Sequence, residues 1–259
     1  KQDQVRMSRL RKFCARFGFE IDQPTFEALL SCRKQIVQSS SVRVLEELLR
    51  MLESGAARPF FHLLQEYGLL SSLLPELAHF LSAKGDKAML DLLAEMDSEV
   101  QKGTEPLPDR AFHLALLIFP LLDEYLKEKL RTDARSPHLG QIESIAFYVI
   151  DCVFSPFFQL PRRLRGVLGY LLTAQYRLVP LDGRSVRNPR IPQDSLFPLA
   201  LRLLKFRSAV DPQLLPLYTL WTQSTYQAHQ EGSFSTEEHP PERVRSRRRR
   251  EPRRSAHSS

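Results

Sequence analysis

Asp3, Arg6 and Arg9 stand at three-residue spacing near the start of the chain, and their types suit recognition chemistry. Three-residue steps on a helix return to one face, so the carboxylate and the first guanidinium are neighbours. A carboxylate accepts hydrogen bonds and a guanidinium donates a fork of them. Together they fit the edge of a nucleobase or a nucleotide phosphate. The same spacing also describes the solvated face of an amphipathic helix, with Leu10, Phe13, Cys14 and Phe17 as the apolar stripe behind it.

Three further basic groups invite comparison with an anionic ligand. Arg162, Arg163 and Arg165 open the segment RRLRGVLGYLL, where positive charge opposes the helix dipole. That placement is mildly costly to folding, and it fits either phosphate contact or a solvated face. Lys205 and Arg207 flank Phe206, a basic and aromatic combination that suits stacking on single-stranded RNA. Leu203 and Leu204 beside them favour a core position for Phe206 instead. The third group is the tail. Residues 240–259 hold eight arginines against two glutamates, a net of +6 out of +7 for the whole chain. Arg245, Arg247, Arg248, Arg249, Arg250, Arg253 and Arg254 form a polycation that binds anions by releasing counterions, without reading sequence.

The elements that must position these residues all read as helices. Ser41 is placed to cap VRVLEELLRMLES, whose Val44, Leu45, Leu48, Met51 and Leu52 form one apolar stripe ending at Gly55. On the same helix Arg43 can pair with Glu46 and Glu47. Helical segments follow to Gly68, then LLSSLLPEL interrupted by Pro75, then KAMLDLLAEMDSEV. The apolar run AFHLALLIFPLL is expected to break or kink at Pro120, which removes a helix donor. IESIAFYVIDCVF and RRLRGVLGYLLTAQYRL precede a proline-rich hinge, and SLFPLALRLLKFRSAV and LPLYTLWTQSTYQ close the series. Alternating β-branched runs and fixed-period repeats are absent, so the expected fold is an all-α helical array. From Ala228 onward too little apolar surface remains to offset the entropy of ordering, which predicts a disordered tail.

Composition narrows the function classes. No apolar run approaches the roughly 20 residues of a membrane span. Cys14, Cys32 and Cys152 are far apart in apolar helical contexts, which predicts buried free thiols in a reducing compartment. Neither they nor the scattered histidines have metal-ligand spacing.

QDQVRMSRLRKFCARFGFEI resembles the segment joining head and neck in bacterial poly(A) polymerases and their relatives, the class II tRNA nucleotidyltransferases. The chain keeps Asp3, Arg6, Met7, Arg9, Phe13 and the Gly18-Phe19-Glu20-Ile21 turn of that pattern. It departs at Gln2 for an acidic residue, Gln4 for proline, Ser8 for a hydrophobe and Lys12 for arginine. SSVRVLEELLRML and RPFFHLLQEYGLLSSLLPEL look like the following neck and body helices. LPRRLRGVLGYLL, LRLLKFRSAV and the arginine tail look like the body and RNA-binding region of a poly(A) polymerase.

The resemblance implies an all-α neck and body array with three parts: neck helices over 1–55, a helical RNA-binding body over 56–227, and a basic tail over 228–259. It implies that Asp3 and Arg6 face the adenine of ATP, with Arg9 supporting the site. It implies single-stranded RNA 3′ ends as partner for Arg162, Arg163, Arg165, Lys205, Arg207 and the tail. The parent activity is cytoplasmic RNA polyadenylation, with ATP as substrate and Mg²⁺ held in a head domain. That head carries a D-x-D pair able to clamp two metal ions, and no D-x-D occurs in this sequence. The chain alone is therefore expected to be inactive. Two alternatives are a stand-alone RNA-binding protein derived from such an enzyme and a tRNA CCA-adding nucleotidyltransferase.

Overall fold

The computed structural model describes residues 40–234 except 104, 107, 134, 135 and 188, with 229–234 as backbone only. Asp3, Arg6, Arg9, Cys14, Cys32 and every tail arginine named above lie outside the described residues. The part of the expected disordered tail beyond residue 234 lies outside them too.

Ten α-helices and one short 3₁₀ turn make up the regular structure among the described residues, with no strand. They are α1 (Ser41–Leu52), α2 (Ala57–Glu66), α3 (Leu70–Leu73), α4 (Pro75–Lys84) and α5 (Lys87–Lys102). Then come α6 (Arg110–Asp133), α7 (Leu139–Phe154), α8 (Arg162–Leu178), α9 (Phe197–Val210) and α10 (Leu215–Phe234). The all-α reading of the sequence is correct.

The centre is α6. Every residue from Ala111 to Phe119 is buried, as expected of a helix apolar on all sides. Around it, α8 packs against α6, α7 and α9, while α5 packs against α2, α6 and α9. One core runs from Leu45 on α1 to Trp221 on α10, whose indole N–H donates to the Leu178 carbonyl at 2.9 Å. The boundary expected at residue 55 falls on a turn, and side chains on both sides of it share that core. Gly55 makes the turn at φ +73°, where a Cβ would also lie 3.1 Å from Val100.

Several local expectations need correction. Ser40, not Ser41, is the N-cap residue of α1, and its side chain makes no capping bond. LLSSLLPEL is interrupted at Pro75 as expected, α3 ending at Leu73, and Pro75 then starts α4 at the first helical position, where its missing N–H costs nothing. Pro120 does not break α6, which runs unbroken for 24 residues. Burial on every side of its first half outweighs the lost donor. Helix α10 continues past Ala228 to Phe234. Cys152 is a free thiol, but it is only partly buried.

Candidate nucleic-acid interface

Helix α8 begins after Pro161, whose extended backbone (φ −54°, ψ 140°) delivers Arg162 and Arg163 into the first helical turn. No acidic residue shares that turn. Both arginines are exposed, and neither has an ion-pair or hydrogen-bond partner among the described residues. Two unpaired cations at the positive end of a helix stay there at some cost, and an approaching phosphate would relieve it.

Arg163 lines a groove of about 440 Å³ together with Leu164 and Val167 of α8. The opposite wall is α1, through Val42, Leu45, Glu46 and Leu49, and the end is closed by Asp109 and Arg110. Arg110 holds this corner together. It donates from Nη1 and Nη2 to Glu46 at 2.8 and 3.0 Å, and from Nε to Glu53 at 2.9 Å. The hydrogen bonds to these two carboxylates hold its guanidinium pKa well above the ordinary value. The same contact pulls the Glu46 carboxyl below its usual range.

The expected pairing of Arg43 with Glu46 and Glu47 is not formed. Arg50 takes both carboxylates at 3.3 Å, and Arg110 takes Glu46 as well. A glutamate one turn N-terminal to its cation is the better helical arrangement, which favours Arg50 over Arg43. Arg43 is left exposed on α1 without a partner among the described residues, next to Val42 at the groove wall.

Arg165 behaves differently from its neighbours. Its Nε and Nη2 donate to Asp151 of α7 at 2.8 and 2.7 Å, a bidentate pair. That bond raises the Arg165 pKa, and the guanidinium carbon lies 4.5 Å from the centre of the Phe147 ring. Asp151 and Phe147 were not singled out from the sequence. The available signal was a single acidic residue near the C-terminal end of an otherwise apolar stretch of α7.

The Lys205-Phe206-Arg207 group does not form an RNA-facing unit. Lys205 donates to Glu105 at 2.9 Å and to Glu99 at 3.4 Å. Phe206 is core, edge-on to Phe112 with ring centres 5.3 Å apart. Arg207 is buried, donates to Gln175 Oε1 at 3.1 Å and lies 4.1 Å from the centre of the Phe119 ring. Desolvation pushes its pKa down, and its charge faces the interior instead of a ligand. The apolar spacing around it carries the whole segment inward, so Arg207 belongs to the core and not to the RNA surface.

Among the described residues no three His, Cys, Asp or Glu side chains gather as metal ligands. No helix there is long and apolar enough to cross a membrane.

A family model described as the probable RNA and SrmB- binding site of polymerase A matches residues 18–81, a segment that includes α1 to α3 and most of α4. Poly(A) polymerase I of Salmonella typhimurium strain LT2 is 26% identical over 267 residues, covering 98% of this chain and 56% of that protein. Poly(A) polymerase I of Haemophilus influenzae strain Rd is 23% identical over 201 residues, covering 73% of this chain and 43% of that protein. A multifunctional CCA protein of Alkalilimnicola ehrlichii is 39% identical over 84 residues, covering 29% of this chain and 20% of that protein. The chain thus spans about half the length of the poly(A) polymerases it matches.

Proposed function

This chain is related to the bacterial poly(A) polymerases, and from that premise we propose that it is the RNA-gripping neck and body of an enzyme adding AMP from ATP to RNA 3′ ends. The observation that carries the reading is the groove between α1 and α8. It sets a helix of the segment matched to an RNA-binding family against the unpaired Arg163 at the start of α8. Arg43 and Arg163 hold phosphates at this groove and Arg162 holds one beside it on the first turn of α8, all as point contacts, which positions a strand without reading its bases. The arginines of residues 240–259 add a second, sequence-independent attraction. Asp3 and Arg6 select the adenine of ATP, with Arg9 beside them, when the chain works with a catalytic head in the cytoplasm. Transfer itself belongs to that head, because this sequence contains no D-x-D pair.

The test is the salt dependence of binding to a single-stranded oligoribonucleotide. Replacing Arg162 and Arg163 with Gln is expected to weaken binding and to make the slope of log affinity against log salt shallower by about 0.7 per lost contact. Deleting residues 240–259 is expected to shift the slope further in the same direction. Unchanged affinity and slope in all variants would sink the reading. A preference for tRNA lacking its CCA end over other single-stranded ends would favour the tRNA-finishing alternative.

A further inference from the structure

On the side of α8 away from α1 lies a second cavity, of about 330 Å³, lined by Asp151, Phe154, Ser155, Phe158, Gln159 and Arg165. Of these, Phe154 and Phe158 are buried in the core, while Ser155 and Gln159 are exposed and Arg165 is half-buried. The Arg165 guanidinium is held in an unusual way for a partly exposed arginine. The carboxylate of Asp151 fixes its edge through two hydrogen bonds, and the Phe147 ring backs one of its faces. Phe147 is itself seated against the α8 backbone at Gly169, where a Cβ would come within 2.5 Å of its ring. Gly169 lies one turn beyond Arg165, so the glycine makes the room that brings the ring under the guanidinium. Nη1 makes no hydrogen bond among the described residues, and Arg165 is part of the cavity lining.

We infer that this cavity receives one unstacked nucleobase of single-stranded RNA, laid on the outer face of Arg165, with Arg162 on the adjoining phosphate. Guanidinium planes are stacking surfaces for splayed bases. Here the plane is rigid before any ligand arrives, so little side-chain entropy is lost on binding. Arg162 precedes Arg165 by three residues and therefore stands on the same helix face, at the exposed first turn. Ser155 and Gln159 supply polar rim groups for a base edge. Every base has a π-face and a donor beside an acceptor, so the pocket takes a base without choosing strongly among the four. The inference rests on the RNA-binding reading above and adds a site where a base, and not only the backbone, is held.

The experiment compares a short oligoadenylate with the same sugar-phosphate strand carrying abasic sites, titrated into the whole chain. Wild type is expected to prefer the oligoadenylate by about tenfold, in line with one stacked base. Arg165→Lys keeps the charge and loses the plane. Ser155→Trp fills the cavity from an exposed rim position without touching the core. Both variants are expected to lose the preference while keeping their helical circular dichroism and the wild-type salt slope on the abasic strand. Retention of the preference in either folded variant overturns the proposal, as does equal binding of the two strands by wild type. Failure of wild type to bind either strand overturns the RNA-binding reading itself.

Discussion

The carboxylate of Asp97 on α5 accepts the Ala57 N–H at 2.7 Å and the Arg58 N–H at 2.8 Å, so one helix caps the start of another from forty residues away. Ala56 precedes α2 and has no side chain with which to cap it. The cap therefore comes from a packing partner, and it ties the segment matched to an RNA-binding family onto the rest of the body. Asp97→Ala leaves two N–H groups unpaired in a buried place, and is expected to cost about 2 kcal/mol or more. Asp97→Asn retains an acceptor and is expected to cost about half as much. Urea unfolding followed by Trp221 fluorescence measures both, and a loss under a few tenths for the alanine variant would remove Asp97 as the cap.

That contact also marks where sequence reasoning stops. The helices are legible because their apolar stripes repeat at helical spacing, whereas the apolar first half of α6 reads as a run that Pro120 should break or kink, and only its burial in the core explains why it runs on. A cap supplied across a helix pair leaves no local signal, so nothing in the sequence around Asp97 marks it as the cap of α2. Arg207 was misassigned for the opposite reason. A basic residue next to Phe206 looks like a stacking pair until packing turns both inward. Arg162 and Arg163 were legible as candidates because their charge opposes the helix dipole in the sequence itself. Arg165 carries the same pattern, but its role depends on Asp151 and Phe147, which only the packing of α7 on α8 brings to it.

Acid stability should separate two kinds of carboxyl. Glu46, Glu105 and Glu124 have lowered pKa values through hydrogen bonds to Arg110, Lys205 and Lys84, so the unfolded chain binds protons more readily than the native one. Their contribution is present above the ordinary value of 4.5 and is lost as pH falls through the lowered native values. Asp97 runs the other way. Burial raises its pKa despite two backbone hydrogen bonds, so the native state holds its proton more tightly, and its ionisation costs stability as pH rises above the ordinary 3.8. Between pH about 3.5 and 6, Glu46→Gln is expected to flatten the rise of stability with pH, and Asp97→Asn to steepen it. Equal slopes in wild type and both variants would show that neither group is linked to folding.

Arg207 offers a direct test of core against surface. Truncation to Ala empties the space over Phe119, strands the Gln175 carbonyl and is expected to cost about 3 kcal/mol. Arg207→Met fills much of that volume without a buried charge and is expected to cost less than the alanine variant. In both, RNA affinity per folded molecule and its salt slope should match wild type. A shallower slope in the methionine variant would return Arg207 to the RNA surface.

Two glycines three residues apart on α8 give the sharpest comparison. A Cβ at Gly166 would meet nothing within 4 Å, so Gly166→Ala should gain the ordinary helical preference, about 1 kcal/mol. A Cβ at Gly169 would lie 2.5 Å from Phe147 Cζ and 2.6 Å from its Cε1. The same alanine there gains the same preference but must push the ring aside, and overpacking costs about 1–3 kcal/mol. The net change at Gly169 is therefore expected to lie between zero and a loss of about 2 kcal/mol. For a chain of this size the two variants should differ in Tm by several degrees, at about 2–4 °C per kcal/mol. Displacing Phe147 also removes the backing of Arg165, so Gly169→Ala should loosen the guanidinium where Gly166→Ala leaves it fixed. If Gly169→Ala proved as stabilising as Gly166→Ala, Phe147 would not sit against the helix backbone, and the rigid seat of Arg165 would fall with it.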